Sequence, residues 1–326
     1  MIFVKNENTN PYLNHAVEEY IMNKFQDDCF MLWRNESCIL IGKNQDIMSE
    51  INTEYIKEHN ITVVRRMSGG GAVFNDLGNL NFTFISKKAP KQGVEFSTFT
   101  APIIEALSKL GVKAELSGRN DITIDNKKIS GNAQFHSRDK VIHHGTLLFS
   151  SCISDLVAAL KVKEIKFSDK TVKSVASRVS NLSEYLNEPM SVIEFKEFLF
   201  DYVFSTKNNG VIYELNEEDW GAIKIIAENK YCTRLWNYGS SPKFNFHGEK
   251  KFPGGIVQAN MFIENDIIQD ININGDFFSE KDVSELENLI RYNKYQCNYV
   301  REALREINVS EYMSNISFDD LINVMF

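Results

Sequence analysis

The chain has 326 residues, of which 43% are hydrophobic and 25% charged, and its formal net charge is -8. These proportions are typical of a soluble globular protein, and the length favours a main domain with a smaller second one. The acidic balance argues against nucleic acid as the main partner, because binding to phosphates requires a basic face. With no secretory leader and no run of about 18 apolar residues, we expect a cytoplasmic protein without a membrane segment.

The first predicted element is an amphipathic helix. Asn10 followed by Pro11 is a typical helix start, and apolar residues follow at helical spacing as far as Ile21. His15 lies on this helix. A single histidine there is usually a surface or packing residue, so the sequence assigns it no role.

Strands and helices then alternate irregularly. Residues 30–42 and 61–66 are rich in β-branched and aromatic side chains, which predicts strands, and residues 53–60 between them predict a short helix. A strand is expected over residues 80–86, and a helix over 96–110 that stops at Gly111.

Three short strands are expected next, from the segments VKAEL, DITIDNKKIS and KVIHHGTLLFS, with turns that contain Asn or Gly. Strands that follow one another in runs, with helices between the runs, favour an α+β fold. We therefore predict mixed or antiparallel sheets packed with helices, and not a doubly wound parallel sheet.

The C-terminal part is expected to form a small α+β domain. Residues 238–255 are rich in Gly, Ser, Pro and Lys, the composition of a linker or hinge. Beyond them we predict a hairpin over residues 255–277 and two or three helices over 282–325. The predicted domains are residues 1–245 and 246–326.

The sequence RRMSGGGAVFNDLGNLNF, residues 65–82, sets two arginines before three consecutive glycines. Glycine lets a ligand approach the main chain closely, and a guanidinium donates paired hydrogen bonds to anionic oxygens. The stretch therefore predicts a cradle for a phosphate or a carboxylate. A glycine-rich turn with two solvated arginines remains the alternative interpretation.

Two further segments carry candidate functional residues. In GRNDITIDNKKISGNAQ, Asp121 stands at the entry to a strand, and Lys128 precedes a small-residue turn, ISG, that opens space near the backbone. In HHGTLLF, adjacent residues of one strand point to opposite faces, so His143 and His144 cannot both bind one metal ion without a bend.

Together, in this order and spacing, these three segments resemble the signature segments of the lipoate-protein ligase family. Residues 236–246, WNYGSSPKFNF, are similar to the segment that closes the family's large domain. The resemblance implies an ATP-dependent enzyme whose catalytic domain is residues 1–245, followed by an accessory domain. It also implies the family's two-step reaction, in which lipoate and ATP give lipoyl-adenylate and an acceptor lysine then takes the lipoyl group.

The resemblance further implies the site residues. Lys128 matches the family's essential lysine and is expected to be catalytic, as a charged stabiliser that bridges the carboxylate and the phosphate. Asp121 is expected to hold Mg²⁺ near the phosphates. The residues expected to bind lipoate, ATP or the adenylate are Arg66, Gly71, Ala72, Val73, Phe74, Asn79, Asp121, Lys128, Ala133 and His144.

A dry slot for the lipoyl tail is expected, for which Leu77, Phe84, Ala133 and Leu147 are candidates, and each of them could equally be a plain core residue. The basic side chains of residues 161–178 would usually indicate a solvated charged face, but the resemblance favours a lid with an edge that docks acidic acceptor domains. These basic residues are Lys161, Lys163, Lys166, Lys170, Lys173 and Arg178. A hinge near residues 245–252 would let the accessory domain swing aside. The expected acceptors are lipoyl domains and the glycine cleavage H protein, and the chain is expected to be a monomer without nucleic-acid or membrane partners.

Two other interpretations remain open. Cys29, Cys38, Cys152, Cys232 and Cys297 are scattered and never form a C-x-x-C pair, which indicates neither a disulfide framework nor a zinc site. Cys152 could nevertheless serve as the nucleophile of a transferase that moves octanoyl or lipoyl groups through a thioester. A non-catalytic adenylate-binding protein is the other alternative.

Overall fold

The computed structural model describes residues 1–87, 95–118, 120–137, 140–160, 178–207, 209–239 and 244–326. The strands are β1 Ile2–Lys5, β2 Cys29–Trp33, β3 Cys38–Ile41, β4 Thr62–Arg65, β5 Val73–Asn75, β6 Asn79–Ser86, β7 Glu115–Ser117, β8 Asp121–Ile124, β9 Lys127–Ser137, β10 Lys140–Leu148, β11 Val211–Glu214, β12 Phe246–Phe252, β13 Gly255–Glu264 and β14 Ile267–Gly275. The α-helices are α1 Pro11–Lys24, α2 Ile47–Glu50, α3 Thr53–Glu58, α4 Ser97–Lys109, α5 Ile153–Ala159, α6 Val192–Ser205, α7 Glu217–Ile226, α8 Arg234–Tyr238, α9 Ser284–Ile290, α10 Cys297–Ala303, α11 Val309–Tyr312 and α12 Phe318–Met325.

Within the described residues the largest sheet, here called the large sheet, has the strand order β11-β1-β2-β6-β10-β9-β8-β7. β1 runs parallel to β11 and β2, and the remaining neighbours are antiparallel. Helices cover both faces of this sheet. The predicted α+β class with mixed sheets is therefore confirmed.

One face of the large sheet, here called the dry face, packs against α4 and α6. Phe82, Phe84 and Leu147 lie in this core with Ile103 of α4 and Leu199 of α6. α6 begins at a capping box, in which the Ser191 hydroxyl accepts from the Glu194 backbone N–H and the Glu194 carboxylate accepts from the Ser191 backbone N–H. Phe84 and Leu147 are therefore core residues, the second of the two interpretations left open for them, and Leu77 is 46% exposed and lines no slot on this face.

The opposite face, here called the polar face, packs against α1. This helix begins as predicted, since the Asn10 side chain accepts from the backbone N–H groups of Tyr12 and Leu13 and Pro11 occupies the first turn. α1 buries Ala16, Val17 and Ile21 as expected, but it also buries His15, Asn14 and Glu18. Burying polar and charged side chains is unfavourable unless they are hydrogen-bonded, so their presence on the buried side of α1 indicates a candidate functional site.

A second, smaller sheet with the order β4-β3-β5 stands beside the polar face. β3 is parallel to β4 and antiparallel to β5, and its isoleucines pack with Phe74 in a core of their own. β4 ends at Arg65, so Arg66 and the three glycines lie in the connection from β4 to β5. This connection lies over the polar face.

The C-terminal part has its own hydrophobic core around the sheet β12-β13-β14. β13 and β14 form the predicted hairpin, with Asn265 and Asp266 at positive φ in its turn. The linker and hinge predictions were wrong for residues 246–252, because these residues form β12 and pair along their length with β13. Four helical segments follow where two or three were expected. The boundary at residues 245 and 246 stays a prediction.

The C-terminal part contacts the segment that follows β3. The Lys43 ammonium pairs with the Asp282 carboxylate at 2.8 Å, and the Gly275 N–H donates to the Asn44 carbonyl at 2.7 Å. Phe278 packs with Phe96 and with Ala133 of the large sheet. Across the described residues, no helix is long and apolar enough to span a membrane.

Candidate active site on the polar face

The two adjacent histidines of β10 face opposite sides of the large sheet, as predicted. His143 stacks on Phe99 of α4 on the dry face, with ring centroids 4.9 Å apart. His144 lies on the polar face, where its Nδ1 is 2.9 Å from Glu18 Oε1 and its Nε2 is 2.6 Å from the Ser68 hydroxyl. His144 therefore links α1 to the connection between β4 and β5.

Glu18 is the centre of a buried hydrogen-bond network. Its carboxylate, 1% exposed, accepts from His144, from the Thr83 hydroxyl at 2.7 Å and from His15 Nδ1 at 2.9 Å. Burial by itself would raise the pKa of Glu18, but the hydrogen bonds and charges of His144 and His15 lower it below its usual range. Glu18 is therefore a carboxylate at neutral pH.

Arg66 organises the glycine-rich connection. Its guanidinium is 6% exposed and donates to the carbonyls of Leu40, Gly69 and Gly71, and its Nε donates to the Ser68 hydroxyl. Burial lowers the pKa of Arg66 to about 10, so the group remains charged at neutral pH. A charged donor thus stands at the loop beside His144.

Arg65 has a different position. Its guanidinium donates to the carbonyls of Gly42, Lys43 and Gln45 and to that of Asn237 on α8. These bonds hold the chain after β3 against α8. Arg65 is therefore a structural residue, and the sequence interpretation that paired it with Arg66 as an anion donor was wrong.

The three glycines have three different environments. A Cβ on Gly69 would lie 2.4 Å from the Phe277 carbonyl oxygen, and Gly70 has a φ of 90°, which side chains rarely adopt. A Cβ on Gly71 would meet nothing within 4 Å. Gly71 therefore leaves its backbone most open to a ligand, whereas Gly69 is required by close packing and Gly70 by its backbone conformation.

Lys128 lies on β9 and pairs with Asp121 of β8, with Nζ 2.8 Å from Oδ1. Its backbone N–H donates to the Arg178 carbonyl and its carbonyl accepts from the Ser180 N–H, which fixes the lysine between two chain segments. The predicted turn at ISG was wrong, because these residues lie inside β9. Gly131 lies beside this ammonium, since a Cβ built on it would be 2.9 Å from the Lys128 nitrogen.

These residues surround one cavity, which runs across the large sheet. Trp33 on β2 pairs with Asn81 on β6, and Asn81 pairs with Thr146 on β10. Thr146 accepts from the Gly131 N–H of β9 at 3.3 Å, and Gly131 pairs with Asp121. The residues that line the cavity are His15, Trp33, Leu40, Arg66, Gly70, Gly71, Ala72, Val73, Asn81, Asn120, Lys128, Gly131, Asn132, Ala133, His144, Gly145 and Thr146.

Most of the predicted binding residues line this cavity, namely Arg66, Gly71, Ala72, Val73, Lys128, Ala133 and His144. Phe74 points into the core of the small sheet, so only its backbone remains for a ligand. Asn79 lies behind the cavity and donates to Asn81 Oδ1 at 3.1 Å, and Asp121 reaches the site through Lys128. The roles given to these residues stay predictions.

Sequence reasoning missed Glu18, Ser68, Trp33 and Asn81. Glu18 and Trp33 come from elements that precede the signature segments. Glu18 had a signal, since it falls on the same face of α1 as the apolar residues, where a carboxylate is unusual. Ser68 and Asn81 lie inside a signature segment, but nothing in the sequence showed which of its polar residues face the cavity.

Among the described residues there is no clustered metal site, and no cysteine lines the cavity. These residues contain no cluster of three or more His, Cys, Asp or Glu side chains that could hold a metal ion. Cys152 is exposed at the start of α5 and does not line the cavity. The predicted basic lid has its lysines within residues 161–177, which lie outside the described residues, and Arg178 is at its described end.

Comparison with known proteins identifies the class. The family model of the lipoyl protein ligase A/B catalytic domain matches residues 10–204, and that of the bacterial lipoate protein ligase C-terminus matches residues 241–325. The first match falls on the part of the chain that contains the large sheet, and the second falls on the C-terminal part with its own core. The class is therefore a lipoyl protein ligase with a catalytic domain and a C-terminal domain.

The particular family follows from whole-chain similarity. The chain is 44% identical to lipoate-protein ligase LplJ of Bacillus subtilis (strain 168), over 331 aligned residues and 100% of both chains. It thus belongs to the lipoate-protein ligase family and is an enzyme of the ligase class.

Solved structures agree with this family. The P. falciparum LipL1 structure in complex with lipoate is 27% identical and has a TM-score of 0.80, covering 99% of this chain and 97% of that one. A lipoate-protein ligase A structure bound with ATP is 25% identical with a TM-score of 0.61, covering 73% of this chain and 98% of that one.

Proposed function

We propose that this chain uses ATP to join lipoate to a lysine of an acceptor protein domain. In the first step, a lipoate carboxylate oxygen attacks the α-phosphate of ATP and pyrophosphate leaves. In the second step, the acceptor amine attacks the carbonyl carbon of lipoyl-adenylate, loses a proton, and AMP leaves. An amide bond to the acceptor results.

The observation that carries this proposal is the position of Lys128 at one end of a cavity whose other end is lined by Trp33 and Leu40. A carboxylate and a phosphate repel each other, so a fixed cation between them lowers the barrier. The apolar end suits a hydrocarbon tail. Gly71 beside the cavity leaves a main-chain segment that a nucleotide can approach.

Lys128 is held in place before any ligand binds. Its backbone is bonded on both sides, and its ammonium pairs with Asp121. Pre-positioning means that little reorganisation is needed during reaction. In the second step the same ammonium would stabilise negative charge on the carbonyl oxygen.

The fit of Mg²⁺ depends on Asp121. A magnesium ion in such sites commonly takes one or two carboxylates and completes its shell with phosphate oxygens and water, so a single carboxylate beside the cavity is compatible with it. When bound, the ion would neutralise phosphate charge. Asp121 would exchange its lysine partner for the ion, and Lys128 would become free for the substrate.

The lid and docking edge over residues 161–178 also belong to this proposal. Support comes from the described end of this segment, because Arg178 and Ser180 bond to the backbone of Lys128. A cover anchored there would keep water from the mixed anhydride. Lipoyl domains and the glycine cleavage H protein are the proposed acceptors, and a monomer in the cytoplasm is the proposed form.

The deciding experiment incubates the protein with lipoate, ATP, Mg²⁺ and each of several apo acceptor domains, and then weighs the acceptors by mass spectrometry. We expect a lipoyl mass increase on at least one acceptor, together with pyrophosphate release from ATP. Acceptors that gain no mass, with no pyrophosphate release, would contradict the proposal. If the acceptors gain mass without ATP only when lipoate is replaced by a donor protein that carries an octanoyl or lipoyl group, and iodoacetamide abolishes the gain, the thioester transferase with Cys152 would be favoured.

A further inference from the structure

His15 is a buried residue of the site that the reaction above does not use. The ring is 1% exposed, lines the cavity, and meets Trp33 edge to face with centroids 5.3 Å apart. It also stacks on Tyr231 with centroids 5.9 Å apart. The ring is therefore fixed in orientation by aromatic neighbours.

The hydrogen bonding of His15 leaves one ring nitrogen, Nε2, without a partner among the described residues. Nδ1 donates to the Glu18 carboxylate at 2.9 Å, and burial lowers the pKa of His15, so the ring is neutral. A neutral ring that carries its proton on Nδ1 has a bare lone pair on Nε2. No described residue is a hydrogen-bond partner of that buried Nε2.

Asn81 offers a second free polar atom in the same cavity. Its Oδ1 accepts from Asn79 Nδ2 at 3.1 Å, while its buried Nδ2 has no partner in the described part of the chain. If the two amides turned over together, the free atom of Asn81 would be its oxygen. Either way, one atom of Asn81 remains available.

His15 lies at the end of the cavity away from Lys128, and Asn81 lies one strand nearer. Trp33, which contacts His15, lies three strands from Gly131, which contacts the Lys128 ammonium. Three strand spacings are about 14 Å. An extended eight-carbon acid with C–C bonds of about 1.5 Å spans roughly 10 Å. A carboxylate near Lys128 therefore brings the far end of the chain close to Trp33, His15 and Asn81.

A buried polar atom without a partner is unfavourable, and a ligand that supplies the missing hydrogen bond is favoured over one that does not. The methyl end of octanoate supplies none. The sulfurs of the oxidised dithiolane ring only accept, weakly, whereas a thiol both donates and accepts. A thiol at the chain end can donate to His15 Nε2 and bond to Asn81 in either orientation of its amide.

We propose that His15 and Asn81 are specificity-determining residues that recognise a thiol at the far end of the acyl chain. The preferred acid is accordingly the reduced dithiol form of lipoate, ahead of the cyclic disulfide and well ahead of octanoate. This inference rests on the proposed function, because it places the carboxylate of the acid beside Lys128.

The test measures kcat/KM for pyrophosphate release with saturating ATP, without oxygen and with a phosphine reductant where the dithiol is needed. The acids are dihydrolipoate, oxidised lipoate, 8-mercaptooctanoate and octanoate. For the unmodified protein we expect dihydrolipoate to exceed octanoate by at least tenfold, with 8-mercaptooctanoate between them. Equal values for thiol-bearing and methyl-ended acids would overturn the inference.

His15→Leu keeps the bulk of the side chain and removes the lone pair. We expect it to reduce the ratio of dihydrolipoate to octanoate to within threefold, mainly by lowering the dihydrolipoate value. His136→Leu is the matched control, since His136 is a partly buried histidine of β9 that does not line the cavity. An unchanged ratio in His15→Leu would overturn the assignment of His15.

The two proposals fail in different ways. Absence of ATP-dependent turnover with all four acids would contradict the proposed function itself. Turnover with all four acids at equal efficiency would leave the ligase function intact and reject the thiol preference. If His15→Leu does not fold, as judged by its thermal unfolding, the series of four acids on the unmodified protein still decides.

Discussion

The two faces of the large sheet are both buried, but they differ in what they bury. The dry face packs Phe82, Phe84 and Leu147 against α4 and α6. On the polar face, Glu18 of α1 is bonded to Thr83 and His144 of the same strands. Because side chains alternate along a strand, one residue packs in the hydrophobic core and the next faces the candidate active site.

This difference teaches that hydrophobicity alone does not identify the functional face. A buried carboxylate is tolerated only when donors surround it, and Glu18 has three. Such a network fixes the positions of its members, so the polar face is rigid without being apolar. The following predictions separate the two faces by changing neighbouring or matched residues.

The largest effect is expected at Lys128. Lys128→Ala should reduce adenylate formation at least a hundredfold, because loss of a transition-state charge of this kind costs about 3 kcal/mol. Lys127→Ala is the matched control, since adjacent residues of β9 face opposite sides. Pyrophosphate release measures both variants, and similar activities would reject the role of Lys128.

Much of this architecture could be predicted from the sequence, because its signals are local. The helix start at Asn10 and the opposite faces of His143 and His144 follow from capping and alternation, and the structure confirms both. The hairpin predicted over residues 255–277 is also confirmed, as β13 and β14.

The errors concern contacts between residues that are distant in the sequence. For Phe84 the acyl slot and the plain core both remained open, because the sequence shows that it is apolar and not which face it occupies. Arg65 was predicted to bind an anion together with Arg66. The sequence does not show its partner on α8, Asn237, which is 172 residues away. β12 was predicted to be a linker because its Gly and Lys content is typical of one, and the sequence does not show that it pairs with β13.

The next effect is expected at Glu18. Glu18→Gln keeps the volume but offers only one accepting oxygen where the network uses both, so about 1–3 kcal/mol of unfolding free energy should be lost. kcat/KM should fall at least tenfold because His144 and Ser68 lose their fixed positions. Urea unfolding and pyrophosphate release measure the two effects.

Glu19→Gln is the control for Glu18. Glu19 is the next residue of α1 and pairs with Lys230 at 2.7 Å on the partly exposed side of the helix. Its replacement should cost about 1 kcal/mol or less and leave activity within twofold. If Glu18→Gln behaved like Glu19→Gln, the network would have no special part in the site.

A pH effect on stability is expected from the buried histidines of both faces. Burial, and the nearby charge of His144, lower the pKa of His143 well below its usual value, and burial lowers that of His15. The unfolded chain therefore binds more protons as the pH falls below about 6.5, and stability decreases by up to about 1.4 kcal/mol per pH unit for each group. Glu18, whose pKa is lowered, adds a loss below about pH 4.5.

His143→Leu removes the contribution of the dry face alone. Unfolding free energies from urea titrations between pH 7.5 and 5 should show a shallower slope in this variant than in the unmodified protein. Because His15 is unchanged, part of the slope should remain. Identical slopes in the two proteins would mean that the pKa of His143 is not lowered in the folded state.

The smallest effect on stability is expected at Gly71, in the connection over the polar face. A Cβ at Gly71 meets no atom within 4 Å, so Gly71→Ala should change the unfolding free energy by less than about 0.5 kcal/mol. The KM for ATP should nevertheless rise severalfold, because the methyl group occupies the approach to the main chain. Gly69→Ala is the opposite case: its Cβ would lie 2.4 Å from the Phe277 carbonyl, so it should cost about 1–3 kcal/mol by displacing the C-terminal part. An equal loss of stability in the two variants, with an unchanged KM in Gly71→Ala, would show that the connection serves only as a packing surface.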